Sequence, residues 1–393
     1  MLLLFAFLLS FCCYHLAKKR IIFLSTHYRV KARSLPEYYG INLATWNLLA
    51  SIFAILSLSI CKYLGLDVNI AYGYLALLGI FTILLVYIFA SLKGRFRAQM
   101  HFEKTVEWLL HIAALASIFL TIAILFTIFF EAFQFFRLIS IDEFLFDLKW
   151  SPQDYQQNFG VIPVLTGTLL VTLIAMFVAL PLGLLSAIYL TEYSQKSTRA
   201  IIKPILEILA GIPTIVYGYF AVLVIGPFIR LCGEKLGLSV STESALAAGL
   251  VMGMMIIPFI LSLSDDAISA VPQSLRDASL ALGSTRAETI LKVIIPAASS
   301  GIISSVLLAI SRAIGETMIV TMAAGINAKL TMNPLESVTT FTAQIVALLV
   351  GDQEFDSPKT LAAFALALTL FIFTLFINLC AIIIIKRNRK RYE

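Results

Sequence analysis

Residues 264–298 read "SDDAISAVPQSLRDASLALGSTRAETILKVIIPAA". The stretch lies between two long apolar runs, roughly 244–264 and 298–326, and is too polar to cross a bilayer. It still keeps apolar residues at helical spacing: Val271, Leu275, Ala278 and Leu282 fall at i, i+4, i+7 and i+11, one stripe of a helix. Gly283 ends that helix, as a residue at ease in the left-handed conformation does. Ser284 or Thr285 can cap a second helix through "RAETILKVII", and Pro296 marks the entry into the next apolar run. Two short amphipathic helices joined at a glycine make a compact knob. It is either a structured loop lying on the membrane surface or a docking element for a cytoplasmic partner.

The rest of the chain sets that knob in a membrane. Of 393 residues 60% are apolar and only 13% charged, and mean hydropathy is +0.94. Soluble domains carry about 25% charge, so an all-α polytopic membrane protein is the ordinary reading. Transmembrane barrels alternate polar and apolar residues in segments of about ten, and nothing here does. Nine stretches are long enough to span: roughly 1–17, 44–61, 70–92, 108–133, 160–190, 205–231, 244–264, 298–326 and 360–385. A signal peptide competes for the first, but it lacks a basic n-region and an A-x-A site, and basic residues follow it.

Lys and Arg orient these spans. Lys18, Lys19, Arg20, Arg29, Lys31 and Arg33 crowd the first loop; Lys93, Arg95, Arg97 and Lys104 the third; Lys196, Arg199 and Lys203 the fifth. Arg276, Arg286 and Lys292 lie in the seventh, and the basic tail 386–393 ends the chain. With nine spans all of these fall on one side, the cytoplasm, and the C-terminus is inside. The opposite loops carry Asp142, Glu143, Asp147 and Asp154, then Asp352, Glu354 and Asp356. The expected organisation is an N-terminal extension of about four spans over 1–137, a periplasmic segment 138–159, a five-helix core 160–385 and the tail. The net charge of +6 follows from this placement and need not mean nucleic acid. The five cysteines form no C-x-x-C and the four histidines show no ligand spacing, so neither a metal nor another cofactor is expected.

A family resemblance enters at the knob. Asp277-Ala278-Ser279, three residues, Gly283, nine residues, then Val293-Ile294-Ile295-Pro296 resembles the EAA signature of bacterial ABC-importer permeases: E-A-A, three residues, G, nine residues, I-x-L-P. Asp replaces Glu, Ser the second Ala, Val the Ile and Ile the Leu. "FGVIPVLTGTLLVTLIAMFVALPLGLLSAIYLTEYS" (159–194), "ILAGIPTIVYGYFAV" (208–222), "SRAIGETMIV" (311–320) and "FLFDLKWSP" (144–152) resemble the phosphate-specific permeases, most of all the PstC-type subunit. The resemblance implies a type I, MetI-like core in a bacterial inner membrane, with residues 265–296 as the coupling loop that receives motion from a separate, dimeric ATP-binding subunit. It also implies a second permease subunit and a periplasmic phosphate-binding protein.

Arg312 and Glu316 stand four apart inside the eighth expected span. At mid-bilayer each charge costs about 2.5–3.5 kcal/mol on insertion scales, and their spacing permits mutual attraction. They are either an ion pair that locks helix packing or part of the path of a charged solute. In the second case the planar guanidinium fork suits phosphate, and Glu316 holds it and weakens the site enough for release. The sixth span carries Gly211, Pro213 and Gly218 and the seventh Pro258, residues that either pack closely against a neighbour or break a pore-lining helix. Thr214 and Tyr217 are candidate pore hydroxyls.

Three classes remain to be weighed. The first is a permease subunit of an ATP-driven phosphate importer, or of one for sulfate, molybdate or phosphonate. With no G-x-x-x-x-G-K-[S/T] loop in the chain, ATP hydrolysis belongs to a partner. A stand-alone secondary anion transporter would show inverted repeats, which are not visible. A membrane enzyme would need a catalytic motif such as H-E-x-x-H or G-x-S-x-G, and there is none.

Overall fold

The computed structural model describes residues 2–27, 33–63, 70–91, 97–152, 158–350 and 357–389. Expectations resting on Arg29, Lys31, Lys93, Arg95, Asp154, Asp352, Glu354, Asp356 and residues 390–393 lie outside them. Eight helices among the described residues are long and apolar enough to cross a membrane, five of them beyond residue 160. The remaining expected stretch, 70–92, is the 22-residue helix Ile70–Ser91, whose described apolar part is Gly73–Leu84. The chain forms two units, Met1–Ala123 and Ile124–Glu393, with the division inside a 41-residue helix.

In the first unit, α1 (Leu2–His27), α2 (Pro36–Tyr63) and α3 (Ile70–Ser91) pack on one another, and α4 (Ala98–Leu138) begins. Ala17, Ile21, Tyr39, Leu43 and Ala98 close one small core and Ala6, Leu9 and Leu77 another. Between α1 and α2 the buried Asn47 Nδ2 donates to Ser10 Oγ at 2.8 Å, a polar contact suited to helices whose surroundings offer no water.

In the second unit Phe135, at the end of α4, meets Phe144 of α5 (Ile141–Phe146) and Phe159 edge to face. A short antiparallel pair follows, β1 (Trp150–Ser151) with β2 (Asn158–Phe159). Next comes α6 (Ile162–Ile188), which ends in a π turn at Tyr189–Tyr193. Beyond it lie α7 (Lys196–Ala210), α8 (Thr214–Phe220), a second π turn at Ala221–Ile225, and α9 (Gly226–Lys235). The most enclosed helix is α10 (Ala245–Ser269). It lies so close to α6 that a Cβ on Gly253 would stand 2.9 Å from the Ala175 carbonyl oxygen. Small residues at that crossing (Ala175, Ala179, Ala248) let the backbones approach and maximise dispersion contact.

Two expected spans are corrected. The sixth, 205–231, is not continuous: α7 stops at its cap Gly211, and Pro213 precedes α8. The proline cannot donate a hydrogen bond and disfavours the helical conformation at Ile212, so glycine and proline together open the chain. Pro258 alone does not, for α10 runs through it. The eighth, 298–326, also breaks. Residues 286–289 form α12 (Arg286–Thr289), which passes through a third π turn, Ile290–Ile294, into α13 (Ile295–Ile314). Gly315 caps α13, and α14 (Met318–Ala323) begins three residues later. The chain closes with α15 (Phe341–Leu349) and α16 (Pro358–Arg389).

Candidate functional site

The knob forms between α10 and α13. Its first helix, α11 (Gln273–Ala281), ends as expected at Gly283, with φ +88°. Gly283 N donates to Leu280 O at 3.0 Å and Ser284 N to Ser279 O at 3.2 Å, a Schellman closure. Thr285 is the cap that is used, in a reciprocal capping box with Glu288. The second helix does not stop before Pro296. The π turn ahead of that proline takes up the carbonyl crowding its ring would cause, and the helix continues into α13.

The expected apolar stripe does not face inward. Val271 is buried, but Ala278 is exposed and Leu275 and Leu282 are 44% and 87% exposed. Asp277 is exposed beside them, accepting from Gln273 Nε2 at 3.1 Å. The inward face is polar. Ser279 Oγ and Thr289 Oγ1 share a buried hydrogen bond of 3.0 Å that ties α11 to α12, so the serine that departs from the E-A-A pattern has a partner. Arg276 is enclosed with Glu192, their side chains 12% and 9% exposed, at 3.1 Å. Its guanidinium also donates to the carbonyls of Ile268, at 2.8 Å, and Val271.

Beside this pair lies an ion cluster that the sequence reading missed. Asp265, with 1% of its side chain exposed, accepts from Arg199 at 2.8 Å, Lys203 at 2.9 Å and Thr191 Oγ1 at 2.7 Å. Lys203 reaches Asp266 as well, at 3.1 Å, and Arg199 reaches Ser269 Oγ at 2.9 Å. The hydrogen bond to Asp265 raises the Lys203 ammonium above the usual lysine value, which keeps it charged. A carboxylate this enclosed is tolerated because two cations and a hydroxyl replace its water.

Arg312 sits in the last turn of α13, exposed, with its guanidinium carbon 5.6 Å from the centre of the Phe259 ring. The helix break removes the i, i+4 geometry, and Arg312 and Glu316 form no ion pair. Glu316 instead turns its carboxylate to Met318 N at 3.2 Å, at the start of α14, and its carbonyl accepts from Thr342 Oγ1 at 2.7 Å. Tyr217 spans the other break, its hydroxyl donating to Leu209 O at 3.0 Å. Thr214 opens α8, and Gly211 closes α7. Gly218 is buried where α8 meets α14; a Cβ there would lie 2.8 Å from Met322 Sδ. Pro258 is buried one residue before the ring that carries Arg312.

Residues 179–393 match the family described as binding-protein-dependent transport system inner membrane component. The chain is 36% identical over 242 residues to "Probable ABC transporter permease protein YqgH" of Bacillus subtilis, covering 61% of this chain and 77% of that one. It is 33% identical over 265 residues to "Phosphate transport system permease protein PstC" of Haemophilus influenzae, covering 63% and 82%. Among solved structures, a bacterial alginate ABC transporter in complex with an alginate pentasaccharide-bound periplasmic protein aligns with TM-score 0.51 at 16% identity. The alignment covers 71% of this chain and 94% of that one.

Proposed function

The chain belongs to the binding-protein-dependent transport system inner membrane component family and is a multi-pass ABC-importer permease subunit, and we propose that the solute it passes is inorganic phosphate. The observation that carries this reading is Arg312. Its planar, permanently charged fork is exposed at a helix break, over an aromatic ring, with no carboxylate in salt-bridge range among the described residues. A cation so placed in a membrane protein lacks a counter-charge, and a tetrahedral oxyanion supplies one in a geometry the fork matches. Several relatives carry the phosphate-transport name, which favours phosphate over other oxyanions.

The remaining parts follow from the same premise. The outward apolar face of the knob docks on a separate ATP-binding subunit, which hydrolyses the nucleotide, and the subunit pairs with a second permease to enclose the path. The basic loops and the C-terminus face the cytoplasm across a bacterial inner membrane, and a periplasmic binding protein delivers the anion. That delivery matters, since the acidic outer loops would repel free phosphate.

Uptake of labelled phosphate into vesicles carrying the full complex, with ATP supplied to the knob side, tests the proposal. Arsenate, with the same shape and charge, is expected to compete and sulfate is not. No ATP-dependent uptake of labelled phosphate, with labelled sulfate or molybdate taken up instead and unaffected by excess phosphate, would transfer the assignment to that oxyanion.

A further inference from the structure

We propose that Arg276 and Glu192 are positioning residues of the transport cycle, a clamp that makes α11 and the end of α10 move as one body. The inference rests on the importer reading above and assigns a task to residues outside the solute path. Only three residues, Ala270–Pro272, join α10 to α11, and a connection of that kind can swivel. Arg276 closes it. From the inner face of α11 its guanidinium holds the Ile268 and Val271 carbonyls on one side and Glu192, in the π turn that ends α6, on the other.

The body so formed is larger than the knob. The last turn of α10 presents Asp265, Asp266 and Ser269 to Arg199 and Lys203 of α7, so a second element is fastened to the same turn. The outer face of the knob, with Leu275 on α11 and Leu282 just beyond its end, stays open to whatever pushes on it. Pressure there meets a helix fixed on its far side, and the displacement passes into α10. Nine residues back from Ile268, about 14 Å along the helix axis, α10 carries Phe259, over which Arg312 lies. One rigid helix therefore links the docking face to the arginine.

The test compares assembled wild-type, Arg276→Gln, Arg276→Lys and Glu192→Gln complexes by two readings: solute moved per ATP hydrolysed, and complex recovered from the membrane. A clamp predicts that Arg276→Gln still assembles and hydrolyses ATP while the ratio falls about tenfold, within the usual range of coupling energies. Arg276→Lys, which keeps the charge but loses the fork, falls between. Should Arg276→Gln fail to assemble, Glu192→Gln, which leaves both carbonyl bonds in place, carries the test through the same ratio. A ratio unchanged from wild type, or uptake and hydrolysis falling in equal proportion, would overturn the proposal. The ratio is read with whichever oxyanion the wild-type complex moves, so a wrong solute would overturn the phosphate assignment and leave the clamp to stand or fall on its own ratio.

Discussion

The Arg312 guanidinium and the Phe259 ring lie 5.6 Å apart, and this contact, not an ion pair with Glu316, is what holds the arginine at the end of α13. A cation over an aromatic face gains about 0.5–2 kcal/mol, depending on how dry the contact is. Arg312→Ala and Arg312→Lys should both assemble and lose most phosphate uptake, the lysine because it cannot offer two parallel donors. Phe259→Leu keeps bulk and removes the π face, so its uptake should drop only about fivefold. Uptake and assembled complex, measured side by side, check all three.

Glu316 is expected to be far less sensitive. Its carboxylate oxygen accepts from Met318 N, and a glutamine oxygen can do the same. Glu316→Gln should transport nearly as wild type. Glu316→Ala removes the acceptor of Met318 N and should lose about 1 kcal/mol of local stability, seen as faster amide exchange over 318–323. Glu316→Gln as damaging as Arg312→Ala would restore a direct role for the acid.

At Gly283 the backbone has φ +88° and a Cβ added there would meet nothing within 4 Å, so strain and not crowding governs substitution. Gly283→Ala should cost about 1–2 kcal/mol in the knob, and Gly283→Asn less, since asparagine tolerates the left-handed region. Both should reduce recovery of the ATP-binding subunit with the complex, alanine more than asparagine.

Ser279 and Thr289 test the inner face of α11. Ser279→Ala leaves the Thr289 hydroxyl buried without its partner and should destabilise by about 1–3 kcal/mol. Ser279→Ala combined with Thr289→Val removes both polar groups and should recover most of that loss. Thermal unfolding of the purified complex distinguishes the two.

Much of this architecture was legible from local pattern. The apolar runs marked the spans, and Gly283 and Thr285 marked the knob's turn, because a left-handed residue and a cap act within a few residues of themselves. Three features were not. The stripe through Leu275 and Leu282 signalled a helix face that needs covering, but periodicity does not say whether the cover is the same chain or another. The break after Ile314 follows from one glycine in a run that is otherwise suitable for helix. The Asp265 cluster joins residues 62 to 74 positions apart, and in the sequence Arg199 and Lys203 read equally well as topology signals. A charge that orients a span can also make a specific bond, and composition sees only the first.

The π turn at Tyr189–Tyr193 has a consequence for chain length. Two successive residues of that turn serve different neighbours, Thr191 the Asp265 carboxylate and Glu192 the Arg276 guanidinium. Deleting one residue there would wind the segment back to a regular spiral and swing one of the two about 100° away. An alignment gap at this point would therefore mark a subunit whose knob is wired differently.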